Sequence, residues 1–173
     1  MQTITTSLNP AVIVAGIFLS FIVMELIVGR FFQREGDRRD AIIETVGSTL
    51  LLGVTVPFIT FATGAIMATL APDAQGALSG IPWLAGFALF LLFDDMTQYW
   101  WHRLAHKVPF LYSLHRAHHS AKYMSIRIVY RNNSFYYLLM PGIWFSGILI
   151  YLGLAHVYFV YLILKMCVIF GAH

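Results

Sequence analysis

The chain is 173 residues long, 59% hydrophobic and only 11% charged, with a formal net charge of +3, where soluble domains run to roughly 45–50% apolar and about 25% charged. Its mean hydropathy of +0.74 points to an integral membrane protein of one domain, residues 1–173. So small a positive charge, confined to one side, excludes a nucleic-acid binder, and a lone cysteine, Cys167, excludes an internal disulfide or a cysteine zinc site.

The opening "MQTITTSLNP" has no basic residue, so the apolar tract after it reads as a retained span and not a cleaved signal peptide. That first tract runs from Ala11 to Gly29, broken only by Glu25, which either serves a function inside the span or snorkels with Arg30. The second, Ala41 to Ala71, is long for one pass and carries Pro57 as a predicted kink. The third, Ala77 to Phe93, is entered through "SGIPW" and ended by Asp94-Asp95. The fourth, Ser134 to Ala172, contains His156 and Lys165, predicted to be interfacial and snorkelling respectively, and "YLGLAH" at 151–156 predicts a turn. The predicted fold is all-α: a multi-pass transmembrane helical bundle, with N-terminal spans to about residue 90 and a histidine region from 91 onward.

Basic residues orient the tracts. Arg30, Arg34, Arg38 and Arg39 lie between the first two; Arg103, Lys107, Arg116, Lys122, Arg127 and Arg131 lie between the last two. Ten of the eleven Lys and Arg therefore share one side, which the positive-inside rule makes cytoplasmic. A helical hairpin of Ser134–Gly153 and His156–His173 leaves from that side and returns to it, delivering His173 there; a shallower hairpin has the same sidedness.

Five of the seven histidines cluster on that side between His102 and His119, where His173 would join them. His102 and His106 are spaced i, i+4, and His115, His118 and His119 i, i+3, i+4, so each group lies along one helical face. Pro109 separates the two helices. Imidazoles converging from two rigid elements suit zinc, copper, iron or nickel. Five exceed the four ligands of one tetrahedral zinc site, so a two-metal centre is expected. Asp95 and Tyr99 share the face of His102 and His106, and Asp95 is placed to accept the second N–H of a ligating imidazole. Glycine-rich phosphate loops, nucleophile elbows and H-E-x-x-H motifs are absent from the sequence.

The stretch "DMTQYWWHRLAH" (Asp95 to His106), followed by "LHRAHHS" (Leu114 to Ser120), resembles the fatty acid hydroxylase / sterol desaturase superfamily of membrane di-iron oxygenases. Asp95, Tyr99, Trp100, His102, Arg103 and His106 match the first segment of the pattern, and His115, His118, His119 and Ser120 the second. Met124 and Arg131 stand at family offsets, whereas Ser125 replaces an Asn or Asp and Arg127-Ile128 replace Ser/Thr-rich positions. "VIFGAH" resembles the approach to a further histidine pair, with His173 its first member; the later family histidines are not in these residues. The chain is accordingly expected to be a portion of a longer protein, the alternative being a natural short form.

The resemblance implies His102, His106, His115, His118, His119 and His173 as metal ligands, two irons as cofactor, and oxygen-dependent hydroxylation or desaturation of a lipid or sterol C–H bond. It also implies an external electron-donor chain. Two other readings stand beside it: a catalytically inactive membrane protein, and a membrane zinc-dependent hydrolase or metal-handling protein.

Overall fold

A computed structural model describes residues 38–121 and 126–171, together with Gly16, Leu19, Ser20, Val23, Met24, Leu26 and Ile27. Glu25, Met124, Ser125 and His173 lie outside the described residues. All regular structure among those described is helical.

The second apolar tract forms α1 (Arg38–Leu50) and α2 (Val56–Leu70), joined without a break by a single π turn, Leu51–Thr55. Pro57 falls in the first turn of α2, and the wide turn ahead of it accommodates its missing N–H and bulky ring. Residues 71–82 then cross the end of the molecule. α3 runs from Trp83 to Ala105, straight through Asp94-Asp95, which the sequence marked as the end of a tract. The acids do not end the helix, because Asp94 is taken up by Lys165. α4 (Pro109–His119) begins on its proline, whose fixed φ suits the first helical position. A short 3₁₀ segment, Ile126–Tyr130, leads to α5 (Ser134–Leu138), capped by the Asn133 side chain accepting from the Phe135 amide.

The predicted helix from Ser134 to Gly153 is in fact two. Pro141 has no N–H to continue α5, and Met140 turns extended before α6 (Pro141–Leu149) starts. A second π turn, Ile150–Leu154, contains Gly153 at φ 107, and α7 (Ala155–Gly171) follows. Any Cβ at Gly153 would also meet Gly76 and Ser79 at 3.1 Å. The turn is closed by the crossing loop, whose Gly76 and Leu78 amides donate to the carbonyls of Tyr151 and Leu152 at 3.1 and 2.8 Å.

Side-chain pairs give the helix directions. Thr63 of α2 meets Gly147 of α6, and the Tyr151 hydroxyl donates to the Ala71 carbonyl, so α2 and α6 run parallel. Against α3, Thr97 meets Gly142 and Phe93 stacks on Phe145, an antiparallel match. Gly86 meets Leu154 and Val157, Phe90 stacks on Tyr161, and Asp94 pairs with Lys165, a parallel match to α7. Hence α6 and α7 form a hairpin about Gly153, and α7 heads back toward the histidine end. The expected hairpin is present, with a shorter first arm.

Two apolar clusters fill the interior. One, near the Gly153 end, comprises Phe90, Leu149, Leu154, Val157 and Tyr161. The other lies under the histidines and includes Leu51, Trp101, Tyr130, Tyr136, Met140 and Met166. The outside is just as apolar: Phe58, Phe61, Leu70, Leu84, Leu92 and Val168 are all exposed. Two stretches, Ile42–Leu70 and Pro141–Ile169, are each long and apolar enough to cross a membrane, although the second doubles back at Gly153. Only 17% and 28% of their most apolar windows are buried within the chain, which separates them from the core helices of a soluble protein.

Candidate metal centre

The end of α3 and the whole of α4 build the site. His102 occupies the last turn of α3 and His106 its C-cap, so their rings sit one turn apart and meet edge to face with centroids 4.7 Å apart. Lys107-Val108 reverses the chain, and α4 folds back so that His115 and His119 face that pair. His102 lies 4.7 Å from His115, and His106 4.7 Å from His119, between ring centroids. The ligating atoms of all four lie within 4.8 Å of one another.

The donor set fits a metal. Within each helix the two Nε2 atoms approach to 3.1 Å. That is the ligand-to-ligand edge of a centre whose metal–nitrogen bonds are about 2.0–2.1 Å long. Neutral imidazole is the form that ligates, and the site favours it. Burial and the neighbouring His106 and His119 lower the pKa of His102; burial and His106 lower that of His119. Burial pushes His115 down to about 4, against the upward pull of its hydrogen bond to Asn132. His115 is only 2% exposed, with Tyr136 stacked flat against its ring at 4.9 Å.

A relay of hydrogen bonds selects the tautomer of His115. The Val129 carbonyl can only accept, so the Tyr137 hydroxyl donates to it at 3.1 Å. Tyr137 oxygen then accepts from Asn132 Nδ2 at 3.0 Å, leaving Asn132 Oδ1 to accept from His115 Nδ1 at 2.9 Å. With Nδ1 carrying the proton, the Nε2 lone pair points bare at the other imidazoles. His118 stands apart from the group of four. Its Nδ1 donates to the Ile128 carbonyl at 3.0 Å, the same second-nitrogen bond that orients metal-ligating histidines, and its ring stacks on His115 at 5.4 Å.

The other residues singled out in the sequence are placed differently. Asp95 is exposed on α3 and makes no hydrogen bond to a histidine among the described residues. The Tyr99 hydroxyl accepts from Arg103, whose guanidinium also lies 5.7 Å from the Trp100 ring. His156 is exposed at the start of α7, at the opposite end. Lys165, expected to snorkel, instead pairs inside the molecule with Asp94.

Residues 87–173 match the fatty acid hydroxylase family, just over half of the 173-residue chain. The chain belongs to the fatty acid hydroxylase family. Over 55 residues it is also 34% identical to the alkylglycerol monooxygenase of Danio rerio, a stretch covering 31% of this chain and 12% of that protein. The chain thus spans a small part of that relative's length. No solved structure matches it.

This fatty acid hydroxylase chain supports its histidines with residues that sequence reasoning passed over. Asn132 and the Ile128 carbonyl hold the second nitrogens of His115 and His118. The signal for Asn132 was present: "RNNS" sets two asparagines at the mouth of an apolar tract, where the tract itself had no use for them.

Proposed function

We propose that this chain carries part of a membrane di-iron oxygenase that attacks an unactivated C–H bond of a lipid or sterol, by hydroxylation or desaturation. The observation supporting this is the convergence of His102, His106, His115 and His119 in a chain of the fatty acid hydroxylase family. On this reading those four, with His118 and His173, hold two irons. When bound, the irons supply activation of dioxygen strong enough to remove hydrogen from an aliphatic carbon. The protein's part is to favour the neutral form of His102, His115 and His119, to orient His115 and His118 through Asn132 and the Ile128 carbonyl, and to exclude water with the apolar helices beneath. Electrons come from an external donor chain. Asp95 and Tyr99 line the α3 face leading to the site, where Asp95 is free to accept from a further ligand.

The exposed apolar flanks of α2, α3 and α7 fit a multi-pass chain in lipid, with the histidines at the cytoplasmic edge and the substrate entering sideways from the bilayer. Purified full-length protein, reconstituted with a reductase, should carry about two irons per chain and insert one atom of ¹⁸O₂ into a lipid product or desaturate it. His115→Ala with His119→Ala should abolish both. Iron-free protein acting equally well without oxygen would end this reading.

A second reading rests on the count of converging donors. Four imidazoles in one group are also the donor set of a single tetrahedral zinc site. One tightly held zinc per chain, with oxygen-independent hydrolytic activity, would favour it.

A further inference from the structure

The supports of the metal centre are themselves fastened, and by a distant element. Asn132 and Ile128 flank Arg131, whose own amide donates to the Ile128 carbonyl at 2.9 Å. The Arg131 guanidinium is inserted between two carboxylates of α1, with Nη2 2.9 Å from Asp40 and Nη1 3.1 Å from Glu44. Glu44 is fully buried, and Arg131 is 13% exposed. Nη2 also lies 3.5 Å from the Ser120 hydroxyl at the end of α4. Desolvating a carboxylate is costly unless a cation is brought to it. Residues 128–132 therefore cannot leave α1 without giving up both of these ion pairs.

We propose that Glu44 and Asp40 form an ionic latch that, through Arg131, clamps residues 128–132 against α4 and so sets the orientation of His115 and His118. Glu44, Asp40 and Arg131 are positioning residues: none touches an imidazole of the group of four, and each acts through Asn132 or the Ile128 carbonyl. The latch reaches across 87 positions of sequence to the segment that orients the ligands. It rests on the metal-centre reading above, and it adds that metal affinity is controlled from α1, outside the residues that match the family.

The test uses the full chain in lipid nanodiscs with Co²⁺ as the probe, reading both the dissociation constant and the visible d–d band. Losing an outer partner of a ligating histidine weakens metal binding by about 10–100-fold. Glu44→Gln and Arg131→Gln should each do so and shift the band, while Arg131→Lys, which keeps the charge, restores most of the affinity. Asp40→Asn, at the partly exposed acid, should give a smaller loss with the same band shift, and it carries the test where the buried variants do not fold. Leu154→Ala, at the far end of the bundle, serves as the structural control: it should lower the melting temperature and leave Co²⁺ affinity and band unchanged. Wild-type affinity and spectrum in folded Arg131→Gln or Asp40→Asn would overturn the latch alone. So would an equal loss in Leu154→Ala. Failure of the unaltered chain to bind Co²⁺ at all would remove the metal centre, and the latch with it.

Discussion

Lys165, in the second half of α7, places its ammonium against Oδ1 of Asp94, midway along α3, in a molecule whose surroundings at that level are apolar. The two are 22% and 14% exposed, and Gly142 lets α6 approach the same carboxylate. The pair ties the returning arm of the hairpin to the helix that carries His102 and His106.

Breaking one partner should therefore cost more than an exposed pair is worth, about 1 kcal/mol, and approach the roughly 3–5 kcal/mol of a fully buried one. Lys165→Met and Asp94→Asn are each expected to lower the melting temperature in detergent clearly. The double variant should recover most of the loss, since no charge is left stranded. Additive losses in the double variant would show that the two side chains do not act as a pair.

Asn132 offers a second check, closer to the metal. Asn132→Ala leaves His115 Nδ1 without its acceptor and frees the ring to turn or change tautomer. Metal affinity should fall by about 10–100-fold with the fold retained. Equilibrium dialysis against Fe²⁺ or Co²⁺ with circular dichroism as the fold control measures this, and unchanged affinity would mean that Tyr136 stacking alone orients the imidazole.

The metal-free protein should be acid-sensitive in a defined window. Burial holds His115 near a pKa of about 4, below the 6.5 of an unfolded histidine. Between those values the unfolded chain binds a proton that the folded chain refuses. Stability is thus full above about pH 6.5 and declines as the pH falls toward 4, by at most about 3 kcal/mol from this group. His102 and His119, shifted the same way, add to the slope. Melting temperatures of chelator-treated protein at pH 5 and pH 7.5 should differ, and His115→Phe should flatten the difference. A profile that His115→Phe leaves unaltered would assign the acid sensitivity elsewhere.

Gly147 marks the closest approach of α6 to α2. A Cβ there would lie 2.8 Å from both Cβ and Oγ1 of Thr63, a β-branched and buried neighbour with no room to retreat. Gly147→Ala is expected to destabilise by about 1–3 kcal/mol through overpacking. Gly64→Ala, one position from Thr63 with nothing within 4 Å, should be neutral or slightly stabilising because alanine is the better helix former. Equal effects from the two would mean that helix propensity, not contact, decides.

Much of the site was legible because its pattern is local. The i, i+4 spacing of His102 and His106, and of His115 and His119, states which side chains share a face as soon as each segment is helical. Pro109 likewise announces the start of α4. Asp94 reads in the sequence as the end of an apolar tract, and its place inside a continuous helix was not legible, for the converse reason. Two adjacent acids after an apolar run look like a solvated helix end, and only the partner on α7, 71 positions away, shows why the helix continues. The break at Pro141 was readable and was passed over because hydropathy is blind to a missing N–H.

The amino-acid sequence by itself determined the apolar helical character, the two histidine pairs and the family pattern, since each depends on composition or on neighbours within one or two turns. Only the tertiary structure decided that four imidazoles meet at one point, that His118 stands beside them on the Ile128 carbonyl, and that Glu44 and Arg131 hold that segment in place. Those relations join residues tens of positions apart, and an ion pair or a hydrogen bond across such a distance leaves no periodicity in the chain to read. Folding creates the low-dielectric interior in which such pairs are costly to break.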